Sequence, residues 1–583
     1  MRVDKGEPKN LEVEPLPSPY EGEGAGVGAS PLPQRGREGW EKGLLILIVL
    51  LGLGLRLWGI GWSLPDVRHP LATYHPDELV NLNAARAADI PHGQFDIGFY
   101  NYGALYFYLV SLAQTVGRGW GLIPAPMANA SAAQMANEQA ALFLAGRLVT
   151  ALLGAATIPV VFALGRRCFG RQAGLIAALL YAIAPLATLN AHFLTVDVPA
   201  TFFVALALLW AVRLLDAPTW KNYLLAGVWA GLAAATKYNT GLVLIAPLAA
   251  HVLNKPPETR SKDRTLQGVA LIGVAAIAFL IACPGPWLNW EAFWEGTYPG
   301  SGVRYELFEH ARAGHGDLFL QTGPGWWYHL AISLRFGLGD ALLTAALVGL
   351  ALAVRRHTRQ DKVLLAFLLL YYLITGLSAV RFARYMIPLF PALCVLTARL
   401  AAGPFRQSRV AQVGMALGAL IVVVTGAYTF SLVRLMTLRD PRDSAADYLE
   451  KTAPSGASVA FAKVPWFFSP PLSPLFGAPS APMRARAAEQ TIRFQLRIPA
   501  AEWDTSVLTP PPDYIVLSNI ETMHAVKRLH LEAAVRFVRA IPPNYRQVVF
   551  PPPAPVFGLP QYSPILPEDL LYILPTLTLY QKP

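Results

Sequence analysis

Two adjacent carboxylates, Asp77 and Glu78, follow the first long apolar segment of the chain, which runs from about residue 44 to residue 60. That segment is long enough to cross a bilayer, and ionised side chains are costly to hold next to lipid. A helix beginning near Pro76 would place both acids in its first turn, where the helix dipole stabilises their ionised form. An ionised carboxylate there is a suitable general base for a hydroxyl or amide nucleophile. The alternative is an acidic first turn with no catalytic role.

A third acid, Asp197, stands before Pro199 at the start of another apolar segment. It is predicted to contribute to the same site, although capping of a helix over residues 198–215 would also explain it, and the two roles are compatible. His192, five residues earlier, is a weaker candidate for substrate binding, because a single histidine in a turn is more often incidental.

Several cations lie where the charge pattern of membrane proteins does not favour them. Arg381, Arg384 and Tyr385 fall at a predicted outer membrane boundary, and Lys237 falls at an outward-facing hairpin. A lipid phosphate would explain them, because guanidinium binds phosphate through a bidentate fork. The alternative is ordinary snorkelling of long cationic side chains to the interface.

The composition indicates a polytopic membrane protein. Of 583 residues, 54% are hydrophobic and 15% are charged, against about a quarter charged in soluble proteins. The apolar runs are continuous, which excludes a β-barrel. The net charge of +11 fits basic loops facing anionic lipid better than nucleic-acid binding. The three cysteines show no metal-binding or disulfide spacing.

The apolar runs predict about eleven transmembrane helices, at approximately residues 43–62, 141–165, 173–190, 198–215, 222–236, 240–253, 268–286, 329–354, 363–380, 385–402 and 410–433. The apolar segment 104–122 is predicted to lie along the interface, because counting it as a span would place the basic loops on both sides. Arg35, Arg37 and Lys42 then place the N-terminus in the cytoplasm. The loops 63–140, 190–197 and 287–328 face outward, so polar chemistry is concentrated on one side of the membrane.

Three regions are predicted. Residues 1–42, rich in Gly, Pro and Glu, form a disordered cytoplasmic tail. Residues 43–433 form the all-α transmembrane module. Residues 434–583 form a small extracytoplasmic α/β domain, because short β-like stretches at 458–462 and 514–517 alternate with helical patterns.

These groups together suggest one reaction on the outer face. A carboxylate deprotonates an acceptor, and the cations stabilise a lipid-linked phosphate as it departs from a sugar. Direct displacement at the sugar carbon would invert its configuration, as on the base side of inverting glycosidases. The sequence contains no Gly-rich phosphate loop, so a nucleotide-sugar donor is not expected. Further candidates for substrate binding are His75, Tyr102, His310 and His315.

Several stretches also resemble a known family. They are the Asp-Glu pair after the first span, the aromatic helix of Asn101 to Tyr108, Ala145-Gly-Arg147-Leu148, His192 with Asp197-Val-Pro199, Gly231 to Lys237, and Arg384-Tyr385 with Pro388 and Pro391. In order and spacing, over about residues 43–402, they are similar to the bacterial family 39 group of the GT-C superfamily of glycosyltransferases. The related enzymes are the protein O-mannosyltransferases and the aminoarabinose lipid A transferases.

This resemblance implies a multi-pass plasma-membrane enzyme with a polyprenyl-phosphate sugar donor and an acceptor that is a protein, a lipid or a glycan. It implies Asp77 as base with Glu78 beside it, Asp197 as second acid, and Arg384 at the donor phosphate. A divalent metal at the acidic groups is allowed by it but not required. The chain departs from the family pattern at Asn101-Tyr102-Gly103, where many relatives have Pro-Pro or Lys-Pro-Pro. A phosphate-binding role of that lysine would here be vacant or belong to another cation.

Two other readings compete with the transferase. In a transporter or flippase, the charged groups would relay substrate or protons, but such proteins usually show internal repeats and sites near the midplane. No clear repeat is present. A non-catalytic envelope scaffold would leave Asp77, Asp197 and Arg384 without a purpose.

Overall fold

The computed structural model describes residues 34–127, 130–254, 261–401, 409–478, 480–485, 493–553 and 566–583. Most of the predicted tail, up to residue 33, lies outside the described residues. Residues 44–583 form one compact unit, which contains both the helical bundle and the C-terminal sheet.

In the described residues of the first half of the chain, the named elements are helices. Its helices are α1 Gln34–Leu57, α2 Glu78–Ala87, α3 Leu105–Gly119, α4 Ala132–Phe169, α5 Arg171–Ala182, α6 Pro185–Asn190, α7 Asp197–Asp216, α8 Trp220–Thr236, α9 Ile245–Leu253 and α10 Ser261–Ala282. Those that follow in the bundle are α11 Gly285–Leu288, α12 Trp290–Trp294, α13 Ala311–Ala313, α14 Gly325–Tyr328, α15 Arg335–Leu338, α16 Asp340–Arg356, α17 Arg359–Thr375, α18 Phe390–Ala398 and α19 Arg409–Leu435. Short 3-10 or π segments are Ile90–His92, Tyr238–Leu244, Tyr305–His310, Gly316–Phe319, His329–Leu334, Ala383–Leu389 and Arg399–Ala401.

The bundle is built around α7, whose side chains are buried along nearly its whole length among α4, α8, α9 and α18. Small residues allow this close packing: Gly231 of α8 lies against the backbone of Ala275 in α10. The side chains of α7 thus belong to an extensive apolar cluster of the bundle, and a second apolar cluster packs around α2, α3 and the first half of α4.

Within the described residues, four helices are long and apolar enough to cross a membrane, or five if the bent pair Gly325–Leu338 and Asp340–Arg356 counts as one span. The prediction of eleven spans is therefore not confirmed. Several predicted spans are broken or short. The segment predicted as 329–354 bends by 119° at Gly339, whose positive φ a helix cannot contain. The segment predicted as 385–402 opens as a 3-10 turn around Pro388.

The C-terminal part folds as a mixed α/β layer, as its sequence pattern predicts. Its helices are α20 Pro441–Thr452, α21 Ala481–Ala485, α22 Asn519–Thr522, α23 Glu532–Ala540 and α24 Glu568–Leu571, with 3-10 or π turns at Pro474–Gly477, Thr505–Leu508 and Met523–Arg528. Its strands are β1 Ala457–Phe461, β2 Phe494–Arg497, β3 Tyr514–Ser518, β4 Arg546–Phe550 and β5 Leu577–Gln581.

The sheet has the strand order β2-β1-β3-β5-β4. The first three strands are parallel, and β5 runs antiparallel to both β3 and β4. β1 and β3 are buried along their full length, because apolar clusters cover both faces of the sheet. The predicted boundary of this domain at residue 434 stays a prediction.

Candidate active site

Asp77 is one of the residues that line a cavity of about 200 Å³ at the surface of the bundle. It immediately precedes α2, which begins at Glu78, and its side chain makes no capping hydrogen bond to the helix. The predicted acidic helix start is therefore observed, but the Asp77 carboxylate is directed to another partner. Its side chain is 30% exposed, which leaves it accessible from the cavity.

Glu78 anchors the start of α2 to the bundle. Its carboxylate receives two hydrogen bonds from Arg147 of α4, at 2.8 and 2.6 Å, and one from the backbone N–H of Leu194 at 2.7 Å. The Thr73 hydroxyl donates a fourth at 2.5 Å, and both side chains of the ion pair are fully buried. Burial alone would raise the pKa of Glu78, but the charge and hydrogen bonds of Arg147 lower it.

Asp197 is the first residue of α7 and does not cap that helix. Its carboxylate instead accepts a hydrogen bond from Lys237 Nζ at 2.6 Å, and both side chains are almost completely buried. Lys237 also lies over the ring of Tyr385, 4.1 Å from the ring centre, and 6.0 Å from that of Tyr102. The capping explanation of Asp197 is therefore wrong, because its side chain is used by the ion pair.

Arg384 joins these groups into one cluster. Its guanidinium donates to Asp77 at 2.7 Å and to Asp569 at 3.0 Å, and lies 3.8 Å from Asp197. It also packs over the ring of Phe382, at 3.9 Å from the ring centre. Three carboxylates and two cations, Arg384 and Lys237, thus meet in one place. When all are ionised, the cluster carries one net negative charge.

The surrounding charges keep Asp77 ionised. Burial raises the pKa of its carboxyl, but the positive charge of Arg384, with smaller contributions from His75, His315 and Lys237, lowers the pKa below its ordinary value. An ionised carboxylate with an exposed face can accept a proton from a nucleophile in the cavity.

A second polar group faces the same cavity. Glu306 accepts hydrogen bonds from Asn101 Nδ2 at 2.7 Å and pairs with His310 Nδ1 at 3.0 Å. His310 Nε2 lies 3.3 Å from His315 Nδ1. Asp77, Asn101, Tyr102, Glu306, His310 and His315 are among the residues that line the cavity. The structure therefore brings the predicted Tyr102, His310 and His315 to the same space as Asp77.

The start of α3 fits closely against the end of α8. A Cβ atom at Gly103 would lie 1.9 Å from the carbonyl oxygen of Ala235, so only glycine allows this approach. The contact places Tyr102 beside Lys237. The segment Asn101-Tyr102-Gly103 thus makes a close backbone contact with α8, and Lys237 is its neighbouring cation.

Besides Asp197, Lys237, Arg384 and Tyr385, which belong to the charged cluster, four predicted site residues are not among those that line the cavity. Glu78 is sealed in its ion pair, which argues against direct catalysis. His192 is fully buried, and its ring nitrogens face the carbonyl oxygens of Thr188, Leu189 and Trp58. His75 is buried against Phe193 and Tyr572. Arg381 donates to Thr322 and Gly323.

The three buried residues share one physical reason: each side chain is almost completely buried and is used by hydrogen bonds to neighbouring residues. Substrate binding by His75 and His192 is not compatible with this burial. Arg381 is partly exposed, but its guanidinium is hydrogen-bonded to Thr322 and Gly323, so the structure does not group it with Arg384.

Sequence reasoning missed two residues of the site. Asp569 lies in a segment whose pattern carried no site signal, and only the fold brings it to Arg384. Glu306 stands four residues before His310, a spacing that places two side chains on one face of a helix, and that spacing could have identified it. Among the residues described, no group of three or more His, Cys, Asp or Glu side chains is arranged to hold a metal ion.

The sequence of this chain is also similar to those of known proteins. Residues 125–287 match the family model described as dolichyl-phosphate-mannose-protein mannosyltransferase. This region holds Arg147, Asp197 and Lys237 but neither Asp77 nor Arg384. The chain is also 28% identical over 266 residues to an undecaprenyl phosphate-alpha-4-amino-4-deoxy-L-arabinose arabinosyl transferase of Pseudomonas fluorescens, a match that covers 45% of this chain. It spans 47% of that relative, or about half its length.

Two solved structures are similar over most of the chain. The apo structure of ArnT from Cupriavidus metallidurans has a TM-score of 0.46 at 15% identity, covering 85% of this chain and 95% of that one. The apo oligosaccharyltransferase of Archaeoglobus fulgidus has a TM-score of 0.46 at 13% identity, covering 84% and 70%. The resemblance to GT-C glycosyltransferases related to the protein mannosyltransferases and ArnT is confirmed by the family and sequence matches.

Proposed function

We propose that the protein is a membrane glycosyltransferase that moves a sugar from a polyprenyl-phosphate donor to an acceptor on the outer face of the membrane. The observation that carries this proposal is the pair formed by Asp77 and Arg384. A partly exposed carboxylate that lines the cavity and a buried guanidinium, a group suited to binding phosphate, lie 2.7 Å apart. A base for the acceptor and a binding group for the leaving phosphate are thus side by side.

The proposed reaction is one displacement at the sugar carbon. Asp77 takes a proton from the acceptor hydroxyl or amine as its oxygen or nitrogen bonds to that carbon. The bond between the carbon and the phosphate oxygen breaks, and the electron pair leaves with the lipid phosphate. Arg384, with Lys237 behind it, stabilises the charge that develops on the phosphate. Attack opposite the leaving group inverts the configuration. The cations serve here without requiring a metal ion.

Relatives support the donor class. Polyprenyl phosphates appear in the names of the Pseudomonas fluorescens relative and of the ArnT structure bound to undecaprenyl phosphate. The cluster shows that Asp77, Asp197 and the C-terminal domain lie at the same end of the bundle. We infer that this end faces outward, with the N-terminus in the cytoplasm.

The direct test is turnover by the purified protein. The protein is incubated with lipid extracted from membranes of a deletion strain, and mass spectrometry follows the conversion of sugar-linked polyprenyl phosphate to free polyprenyl phosphate. Loss of a glycan or glycoprotein sugar in the deletion strain then identifies the acceptor. If proteoliposomes instead move the intact lipid-linked sugar between leaflets without releasing phosphate, the flippase alternative is correct.

A further inference from the structure

The C-terminal domain enters the active site through one short segment, residues 566–574. Its apolar side chains pack in a cluster with Trp62, Tyr74 and Phe193, next to the loop that carries Asp77. The carbonyl oxygen of Tyr572 accepts a hydrogen bond from buried Arg442 at 2.7 Å. This segment is therefore part of the packed core around the site, and its position relative to Asp77 is fixed.

Asp569 lies in this segment and binds two successive residues of the bundle. One carboxylate oxygen accepts the backbone N–H of Ala383 at 2.7 Å, and the other accepts Nη1 of Arg384 at 3.0 Å. The Asp569 side chain is 2% exposed. A single carboxylate thus fixes both the main chain before Arg384 and the orientation of its guanidinium.

The two ion pairs of Arg384 differ in how easily they can open. Nη2 faces Asp77, which is 30% exposed, whereas Nη1 faces the almost fully buried Asp569. A phosphate that approaches this cluster adds negative charge to a group that already has a negative excess, so it must displace a carboxylate. Displaced Asp77 would be solvated in the cavity, whereas displaced Asp569 would be left as an unpaired buried charge.

We infer that Asp569 is a positioning residue that keeps its ion pair with Arg384 while the donor phosphate replaces Asp77 on the other edge of the same guanidinium. This inference rests on the proposed transferase function. It gives the C-terminal domain a role in donor binding, and it frees the Asp77 carboxylate for the acceptor only after the donor is in place.

The test is a titration of the full-length protein in detergent micelles with undecaprenyl phosphate. Wild type is compared with Asp569→Asn and Asp77→Asn. We expect Asp569→Asn to weaken binding about 10-fold, because the guanidinium loses its fixed orientation, and Asp77→Asn to tighten it about 10-fold, because a competing charge is removed. A merely structural role of Asp569 would not predict effects of opposite sign.

Glu568→Gln is the matched control, because Glu568 is in the same helix and pairs with buried His524 inside the C-terminal domain. Its dissociation constant should stay within about twofold of wild type, whatever its melting temperature. Tighter or unchanged binding by a folded Asp569→Asn variant would overturn the positioning role, as would weaker binding by Asp77→Asn. If wild type and all variants fail to bind the lipid phosphate, the proposed function itself falls, and the inference with it.

Discussion

Two arginine–carboxylate pairs lie side by side in this molecule and differ in one respect. Arg147 binds Glu78 at 2.6 Å, and Arg384 binds Asp77 at 2.7 Å. The first pair is fully buried, with further bonds to Thr73 and Leu194. The second leaves its carboxylate 30% exposed at a cavity. Neighbouring acids of the same chemistry therefore separate into one that is enclosed in the fold and one that faces the cavity.

This difference follows from how α2 is held. Glu78 ties the first turn to α4 and to the turn before Asp197, and Arg147 also donates to the carbonyl oxygens of Ile60 and Trp62. Three parts of this end of the bundle thus meet at one buried ion pair. Asp77, one residue earlier, is consequently placed at the cavity with little freedom. The pair at Glu78 is the support that gives the pair at Asp77 its geometry.

The largest effect on stability is expected from breaking the fully buried pair of Arg147 and Glu78. Arg147→Ala leaves a buried carboxylate without its partner and should cost about 3–5 kcal/mol of stability, because nothing else in that site can compensate the charge. Thermal unfolding in detergent would show a clearly lower melting temperature. Arg167→Ala is the matched control on the same helix, since Arg167 pairs with Asp216 at an exposed site and should cost less than about 1 kcal/mol. Similar losses for both variants would contradict the comparison.

At the partly exposed pair of Asp77 and Arg384, a substitution should lower the reaction rate and leave the stability of the fold nearly unchanged. Asp77→Asn keeps the shape of the side chain but cannot take a proton, so we expect sugar transfer to fall by about 10²–10⁴-fold. Melting temperature should remain close to that of wild type, because the side chain is partly exposed. Release of polyprenyl phosphate, measured by mass spectrometry, provides the rate. Undiminished turnover would remove Asp77 from the role of base.

The sequence was sufficient for the parts of this arrangement that are local. Asp77 with a helix beginning beside it, and the strands around Val459 and Ile515, follow from proline position and from apolar pattern. The sequence could not show which of Asp77 and Glu78 is buried, because adjacent residues have the same local signals. The difference arises from Arg147, which lies 69 residues away in the chain and binds only Glu78 of the two. Asp569 was out of reach for the same reason, since its partner lies 185 residues earlier.

A smaller effect separates the two arginines of the predicted phosphate site. Arg384→Lys keeps the charge but loses the planar fork that contacts both Asp77 and Asp569, so the KM for donor should rise about 10-fold. Arg381→Lys is the control, because Arg381 binds Thr322 and Gly323 and should change the KM by less than about twofold. Equal effects of the two substitutions would mean that the loop around Thr322 also contacts the donor.

The smallest expected effect is a difference between two pH profiles. In the free protein, Arg384 lowers the pKa of Asp77. The Asp77 carboxylate therefore remains ionised until the pH falls below the ordinary pKa of an aspartate. If the donor phosphate takes over Arg384, Asp77 loses this stabilisation and its pKa rises in the complex. The acidic limb of kcat, which reports the complex, should then lie about one pH unit above the acidic limb of kcat/KM, which reports the free protein. Coincident limbs would indicate that Asp77 keeps its ion pair with Arg384 when the donor binds, just as Glu78 keeps its ion pair with Arg147.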